Sequence, residues 1–134
     1  MKKNIEILKK HGLKNTNQRK IMSDILFAGK DMHFSAEDLK KLVEKRGFKM
    51  SLATIYNNLQ HFVNAGLLRK TIVDSEKSYY DNNLKNHYHI YDEADRKLID
   101  IPNSSISFSK LPKLPKNKVI KNISVIIQID KNSR

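Results

Sequence analysis

Cysteine is absent from all 134 residues, which excludes disulfides and any thiolate-held metal within this sequence. No run of about 18 apolar residues occurs, so a transmembrane helix is excluded. The opening MKKNIEILKKHG is basic but lacks the apolar stretch and small-residue cleavage site of a secretory signal. These absences make a cytoplasmic protein the expectation. Proline occurs three times, all between residues 102 and 115, where a long helix is therefore not expected. Glycine occurs four times and forms no glycine-rich site loop. Acidic residues are scarce too. They number 14 against 26 Lys and Arg, a formal net charge of +12. Such an excess attracts polyanions, nucleic acid first among them, although a lysine-rich solvated surface accounts for the same count. Residues 1–80 hold 16 basic and 8 acidic side chains, and residues 81–134 hold 10 and 6. The front of the chain is the better candidate for a polyanion partner.

What is present begins with three hydroxyl-capped helical patterns. Thr16 precedes NQRKIMSDILFAG, with Ile21, Met22, Ile25 and Leu26 on one stripe and Gly29 at its end. Ser35 precedes AEDLKKLVEKRG, with Asp38 placed for a capping box, a buried face of Leu39, Leu42 and Val43, and a stop at Gly47. Ser51 precedes LATIYNNLQHFVNAG, whose apolar stripe is Leu52, Ile55, Leu59, Phe62 and Val63 and whose end is Gly66. LLRKTIV and KSYYD then form a predicted hairpin through the polar DSE. Three helices followed by a hairpin is the order of a winged helix-turn-helix, which sets a helix in the DNA major groove.

After Asp81 the polar NNLKN suggests a hinge. HYHIYD and RKLIDI are predicted strands joined at EAD, and VIKNISVIIQID is a third. Three strands in about 50 residues bury too little apolar surface alone. Val125, Ile126, Ile127 and Ile129 therefore call for cover from a second copy, and a homodimer is expected. The expected fold class is α+β, with a winged helix-turn-helix over residues 1–80, a hinge over 81–86 and a small β-rich dimerisation domain over 87–134.

Opposite its apolar stripe, the Ser51-capped helix carries Ala53, Thr54, Asn57, Asn58 and His61, with Tyr56 beside them. Small residues at its start admit it to a groove about 12 Å wide, where Asn and Thr hydrogen-bond base edges. A solvated face would also carry Asn and Thr, but an exposed Tyr and Ala fit a contact surface better. SLATIYNNLQHFVNAGLL resembles the recognition helix of the ferric uptake regulator superfamily, S-x-A-T-[IV]-Y-x-x-L-x-x-[FL]-x-x-x-G-[LI]. GLKNTNQRKIM resembles that superfamily's G-[LF]-[KR]-x-T-x-[QP]-R entry to an earlier helix. KSYYDNNLKNHYHIYDEADRKLIDIP and KLPKLPKNKVIKNISVIIQI are similar to its iron response regulator branch. The resemblance implies a metal-responsive dimer on double-stranded, AT-rich, inverted-repeat operators. It implies that Lys14 reaches toward the minor groove, Arg19 contacts the DNA backbone and Tyr56 contacts thymine. Ser51, Ala53, Thr54 and Asn57 complete the expected DNA face.

Residues i and i+2 of a strand share a face, so His87 and His89 present both imidazoles to one side. An H-x-H pair alone is equally compatible with an exposed strand that binds nothing. Asp81, Asp100 and His33 add candidates that only a fold can unite. The resemblance implies that His33, Asp81, His87, His89 and Asp100 form one sensory site, with Asp at 81 and 100 as in peroxide-sensing members. Three nitrogens and two oxygens suit Fe(II) or Mn(II) and accept Zn(II). The implied mechanism is a clamp: ligand convergence fixes the angle between domains, so metal and DNA raise each other's affinity. The first C-x-x-C position of the superfamily's zinc site is Asp92-Glu93-Ala94-Asp95 here, so no cysteine-bound structural zinc is expected. Asp92 and Asp95 are expected to serve a turn. Haem on His87 or His89 is an alternative, weakened by Tyr88 in the middle of the branch's usual H-H-H motif. Two other classes compete with a regulator: a metal-dependent hydrolase using His87 and His89, and a constitutive DNA binder with a vestigial metal site.

Overall fold

Hydroxyl caps start three helices where the sequence places them. Thr16 Oγ1 accepts from the Arg19 amide, Ser35 Oγ from that of Asp38 and Ser51 Oγ from that of Thr54. The structure, a computed structural model, describes residues 2–74, 77–85 and 87–132. Its helices are α1 (Lys2–Lys10), α2 (Asn17–Leu26), α3 (Ala36–Lys45) and α4 (Leu52–Asn64). Its strands are β1 (His33–Phe34), β2 (Arg69–Asp74), β3 (Lys77–Asp81), β4 (His87–Asp92), β5 (Lys97–Pro102) and β6 (Ile126–Ile129). Ser35 and Asp38 form a reciprocal capping box, the side chain of each accepting from the other's amide. Ser35→Ala is expected to lower the unfolding free energy by about 1 kcal/mol. A lower urea midpoint with an unchanged slope is the readout; an unchanged midpoint would contradict it.

The chain divides into two compact units, Met1–Leu84 and Lys85–Arg134. In the first, Met22, Leu26, Leu39, Ile55, Leu59 and Phe62 are fully buried and bind α2, α3 and α4 into one core. Two elements were not anticipated. Helix α1 is lysine-rich and has no Ser, Thr, Asp or Asn before it in the sequence, but Leu8 is fully buried in the core and Asn4 Nδ2 donates to Asp24 Oδ1 of α2 at 2.8 Å. Gly12, at φ 74°, lets the chain turn off its C-terminal end. Strand β1 has only two residues and no alternation to detect. It pairs antiparallel with β3, giving a sheet of order β1-β3-β2. Phe34 of β1 stacks on Tyr80 of β3, with ring centroids 6.0 Å apart, and closes the sheet onto the helices. The expected hairpin is β2–β3; its turn residues Ser75 and Glu76 lie outside the described residues, as does Asn86 of the expected hinge.

The second unit is a sheet of order β5-β4-β6, with β4–β5 antiparallel and β4–β6 parallel. Asp92 Oδ1 accepts from the amides of Ala94 and Asp95, which makes the turn between β4 and β5. The long strand expected over Val119–Asp130 shortens to Ile126–Ile129. Only there does β4 offer a ladder partner; Val119 is 86% exposed. Residues Asn103–Ser105 form a single 3₁₀ turn in the proline-containing stretch. No described helix is long and apolar enough to cross a membrane.

Candidate metal centre and nucleic-acid interface

Strand alternation and register build the histidine cluster. His87 and His89 share one face of β4, and His89 lies directly opposite Asp100 of β5. The ligand atoms of His87, His89 and Asp100 lie within 4.8 Å of one another. His89 Nε2 is 3.3 Å and His87 Nε2 3.6 Å from the same Asp100 Oδ1. These separations exceed a charge-assisted hydrogen bond of about 2.8 Å. Two atoms that each sit about 2.1 Å from one ion at octahedral to tetrahedral angles are spaced about 3.0–3.5 Å; the His89 separation falls in that range and the His87 separation just beyond it. His87 Nδ1 lies 2.7 Å from the Lys85 carbonyl. As an N–H donor there, it turns Nε2 toward Asp100 and fixes the ring in the way metal-ligating histidines are usually fixed. The rings are 4.5 Å apart at 69°. His89 is 8% exposed, so this is not the open strand face that an H-x-H pair alone leaves as an alternative.

His33 and Asp81 belong to the first unit, where they are direct partners in the β1–β3 ladder. Asp81 ends the central strand and is buried, and its Oδ1 accepts from the Asn83 amide at 2.8 Å. His33 packs edge-on to Tyr79, two residues before Asp81 on the same side of β3. The five nominated ligands thus fall into two locally built sets, His33 with Asp81 and His87 with His89 and Asp100. Imidazole nitrogens and carboxylate oxygens together suit a divalent first-row ion.

On α4, Ala53, Tyr56, Asn57, Gln60 and Asn64 form the exposed stripe. Gln60 was missed, and its amide donates to Asn64 at 2.9 Å. Asn58 and His61, expected on that face, turn inward instead. Asn58 is 7% exposed and accepts from Arg19 Nε at 3.2 Å, and Arg19 Nη2 bonds His61 Nδ1. Asn58 follows Ile55 by three residues and precedes Phe62 by four, so the helical period itself turns it toward the core, and the α2 guanidinium supplies a partner to it and to half-buried His61. Arg19 Nη1 also donates to the Lys14 carbonyl at 3.0 Å, which fixes the segment that carries the exposed Lys14. Ser51 and Thr54 share a hydroxyl hydrogen bond of 2.9 Å at the helix start. Tyr56 is 42% exposed, and its hydroxyl donates to Glu37 Oε1 at 3.1 Å. Burial above all, then the hydrogen bond and charge of Glu37, push the Tyr56 phenol up.

The model of the ferric uptake regulator family matches residues 10–128. The chain belongs to that family. Ferric uptake regulator family proteins are metal-responsive transcriptional regulators, and this member is a regulator rather than an enzyme. It is 31% identical over 100 residues to the peroxide-responsive repressor PerR of Staphylococcus epidermidis, across 75% of this chain and 66% of that one. To the peroxide operon regulator of Bacillus subtilis it is 33% identical over 100 residues, 75% of this chain and 68% of that one. The fold matches the ferric uptake regulator of Vibrio cholerae with a TM-score of 0.76 at 23% identity, across 96% of this chain and 99% of that one.

Proposed function

We propose that this family member is a homodimeric, cytoplasmic repressor of the peroxide-responsive kind. Its first unit binds AT-rich inverted-repeat DNA, and its second supports dimerisation and metal sensing. Fe(II) or Mn(II) is held by His33, Asp81, His87, His89 and Asp100. The observation that carries this reading is the pair of imidazoles 3.3 and 3.6 Å from one carboxylate oxygen. A carboxylate beside both nitrogens favours a hard divalent ion over haem, and the two sequence relatives named above are peroxide regulators. When bound, the ion supplies the positive charge that gathers these ligands and, as Fe(II), reactivity toward peroxide. The residues do the rest. Lys85 holds the His87 ring, Asn83 holds the Asp81 carboxylate, and the β4–β5 register keeps His89 against Asp100. A ligand set divided between two units makes metal occupancy a constraint on their arrangement. Metal and operator then raise each other's affinity.

Operator titrations with metal-free, Mn(II)-, Fe(II)- and haem-loaded protein, with and without peroxide, test this. Mn(II) and Fe(II) should strengthen binding, and peroxide should reverse only the Fe(II) effect. Equal affinity in all states would leave a constitutive DNA binder.

Tyr56 is proposed to read a base from the exposed stripe of α4. Its hydroxyl donates to Glu37 at 3.1 Å, which gives the half-exposed ring a fixed direction. Tyr56→Ala is expected to remove about 1–3 kcal/mol of preference for operator over random DNA. Competition binding at one salt concentration measures it. Equal losses on both DNAs would remove the base-reading role.

A further inference from the structure

We infer that Asn82 is a positioning residue for the His33–Asp81 part of the metal site, an inference that rests on the proposal that these two residues are ligands. His33 and Asp81 form a rung of the β1–β3 ladder. One step further, Met32 should face Asn82 and exchange two backbone hydrogen bonds with it. Only one is of that kind: the Asn82 amide donates to the Met32 carbonyl at 3.2 Å. The Met32 amide donates instead to the side-chain Oδ1 of Asn82 at 2.8 Å. Asn82 Nδ2 then donates to the Leu26 carbonyl at 2.6 Å and the Lys30 carbonyl at 2.8 Å.

This side chain uses its acceptor and its two donor hydrogens on one target, the connection that runs from the end of α2 to His33. Two consequences follow. The side chain replaces a backbone carbonyl as acceptor, so the main chain is released from the ladder immediately after Asp81. It can then turn at Asn83, whose amide holds the Asp81 carboxylate. The connection Phe27–Met32, which has no helix or strand of its own, is also tied at both ends by one residue. His33 and Asp81 are therefore placed relative to each other from both sides. No other side chain of similar size does this. Asp keeps the acceptor but sets a negative charge against two carbonyls, Leu offers neither donor nor acceptor, and Gln is a methylene too long.

The test uses the full-length protein carrying Asn82→Leu, the milder Asn82→Asp, the ligand variant His33→Ala, and Leu8→Ala as a destabilised control on α1. Mn(II) affinity is read from the free-ion electron paramagnetic resonance signal, beside the thermal midpoint of the metal-free protein. Both Asn82 variants should weaken Mn(II) binding by up to about the 10–100-fold lost when a ligand's own hydrogen-bond partner is removed, since Asn82 acts on the backbone beside the ligands rather than on the ligands themselves. Leu8→Ala should lower the midpoint and leave Mn(II) affinity unchanged. If the Asn82 variants lose only thermal midpoint while His33→Ala weakens Mn(II), Asn82 is merely structural and the inference is overturned. If His33→Ala binds Mn(II) like the wild type, the ligand assignment itself fails, and the inference with it.

Discussion

Mn(II) should no longer strengthen operator binding in His89→Ala, while the metal-free variant binds DNA as the wild type does. His89 is buried, at 8% exposure, and shares a ladder rung with Asp100, with Nε2 3.3 Å from its carboxylate. Alanine removes the nitrogen and leaves His87 and Asp100, 3.6 Å apart, as all that the second unit keeps of the proposed set. Loss of a ligand itself should exceed the roughly 10–100-fold that follows loss of a ligand's hydrogen-bond partner. Thermodynamic linkage sharpens the measurement, since the factor by which metal raises DNA affinity must equal the factor by which DNA raises metal affinity. Operator titrations with and without Mn(II), and Mn(II) titrations with and without operator, should therefore collapse to unity together. A His89→Ala protein that still gained operator affinity from Mn(II) would falsify the ligand assignment. His89 sits in the second unit, whereas Tyr56 and its stripe sit in the first. Unchanged metal-free binding thus separates lost sensing from a damaged DNA face.

Local chemistry made much of this legible in the sequence. Thr16, Ser35 and Ser51 each announce a helix because an N-cap acts within three residues. KSYYD gives β3 its observed limits, since a β-prone run between polar residues has few other options. His87 and His89 could be assigned to one face from a two-residue spacing alone. What escaped depends on partners far along the chain. Strand β1 exists because Tyr80 and Asp81 offer it a ladder, and two residues carry no period of their own. Asn58 stands three residues after Ile55 and four before Phe62, on the buried side by helical period; what lies beyond local reach is its partner and that of His61, Arg19, some forty residues earlier. Asn82 resembled an ordinary hinge residue because its acceptors lie at Leu26 and Lys30. The tail erred in the other direction. Its β-prone run over Val119–Asp130 expresses a propensity, but a strand needs a neighbour, and β4 reaches only Ile126–Ile129.

Arg19 also yields the clearest separation between charge and scaffold. As a phosphate contact alone, its work would survive in Arg19→Lys, which keeps the charge and the salt dependence of binding. The structure gives the guanidinium a different task. Three nitrogens reach three acceptors in three directions: Asn58 Oδ1, His61 Nδ1 and the Lys14 carbonyl. An ammonium on a flexible stem cannot reproduce that planar fork. Hydrogen bonds to charged donors contribute about 1.5–3 kcal/mol, and leaving a buried acceptor unpaired costs about 1–3 kcal/mol. Asn58 is buried enough to incur that cost. Arg19→Ala should therefore lower the unfolding free energy by about 2–4 kcal/mol, among the larger effects expected of a single polar side chain. Arg19→Lys should recover little of it. Both variants should weaken operator binding, because α4 loses the tie that sets its angle on α2 and Lys14 loses the bond that fixes its backbone. Urea unfolding read beside operator titrations at several salt concentrations decides between the two roles. If Arg19→Lys regains wild-type stability and affinity, the residue acts by charge alone. If stability and specific affinity fall together in both variants while the salt slope holds in Arg19→Lys, Arg19 orients the DNA-reading helix from inside the fold.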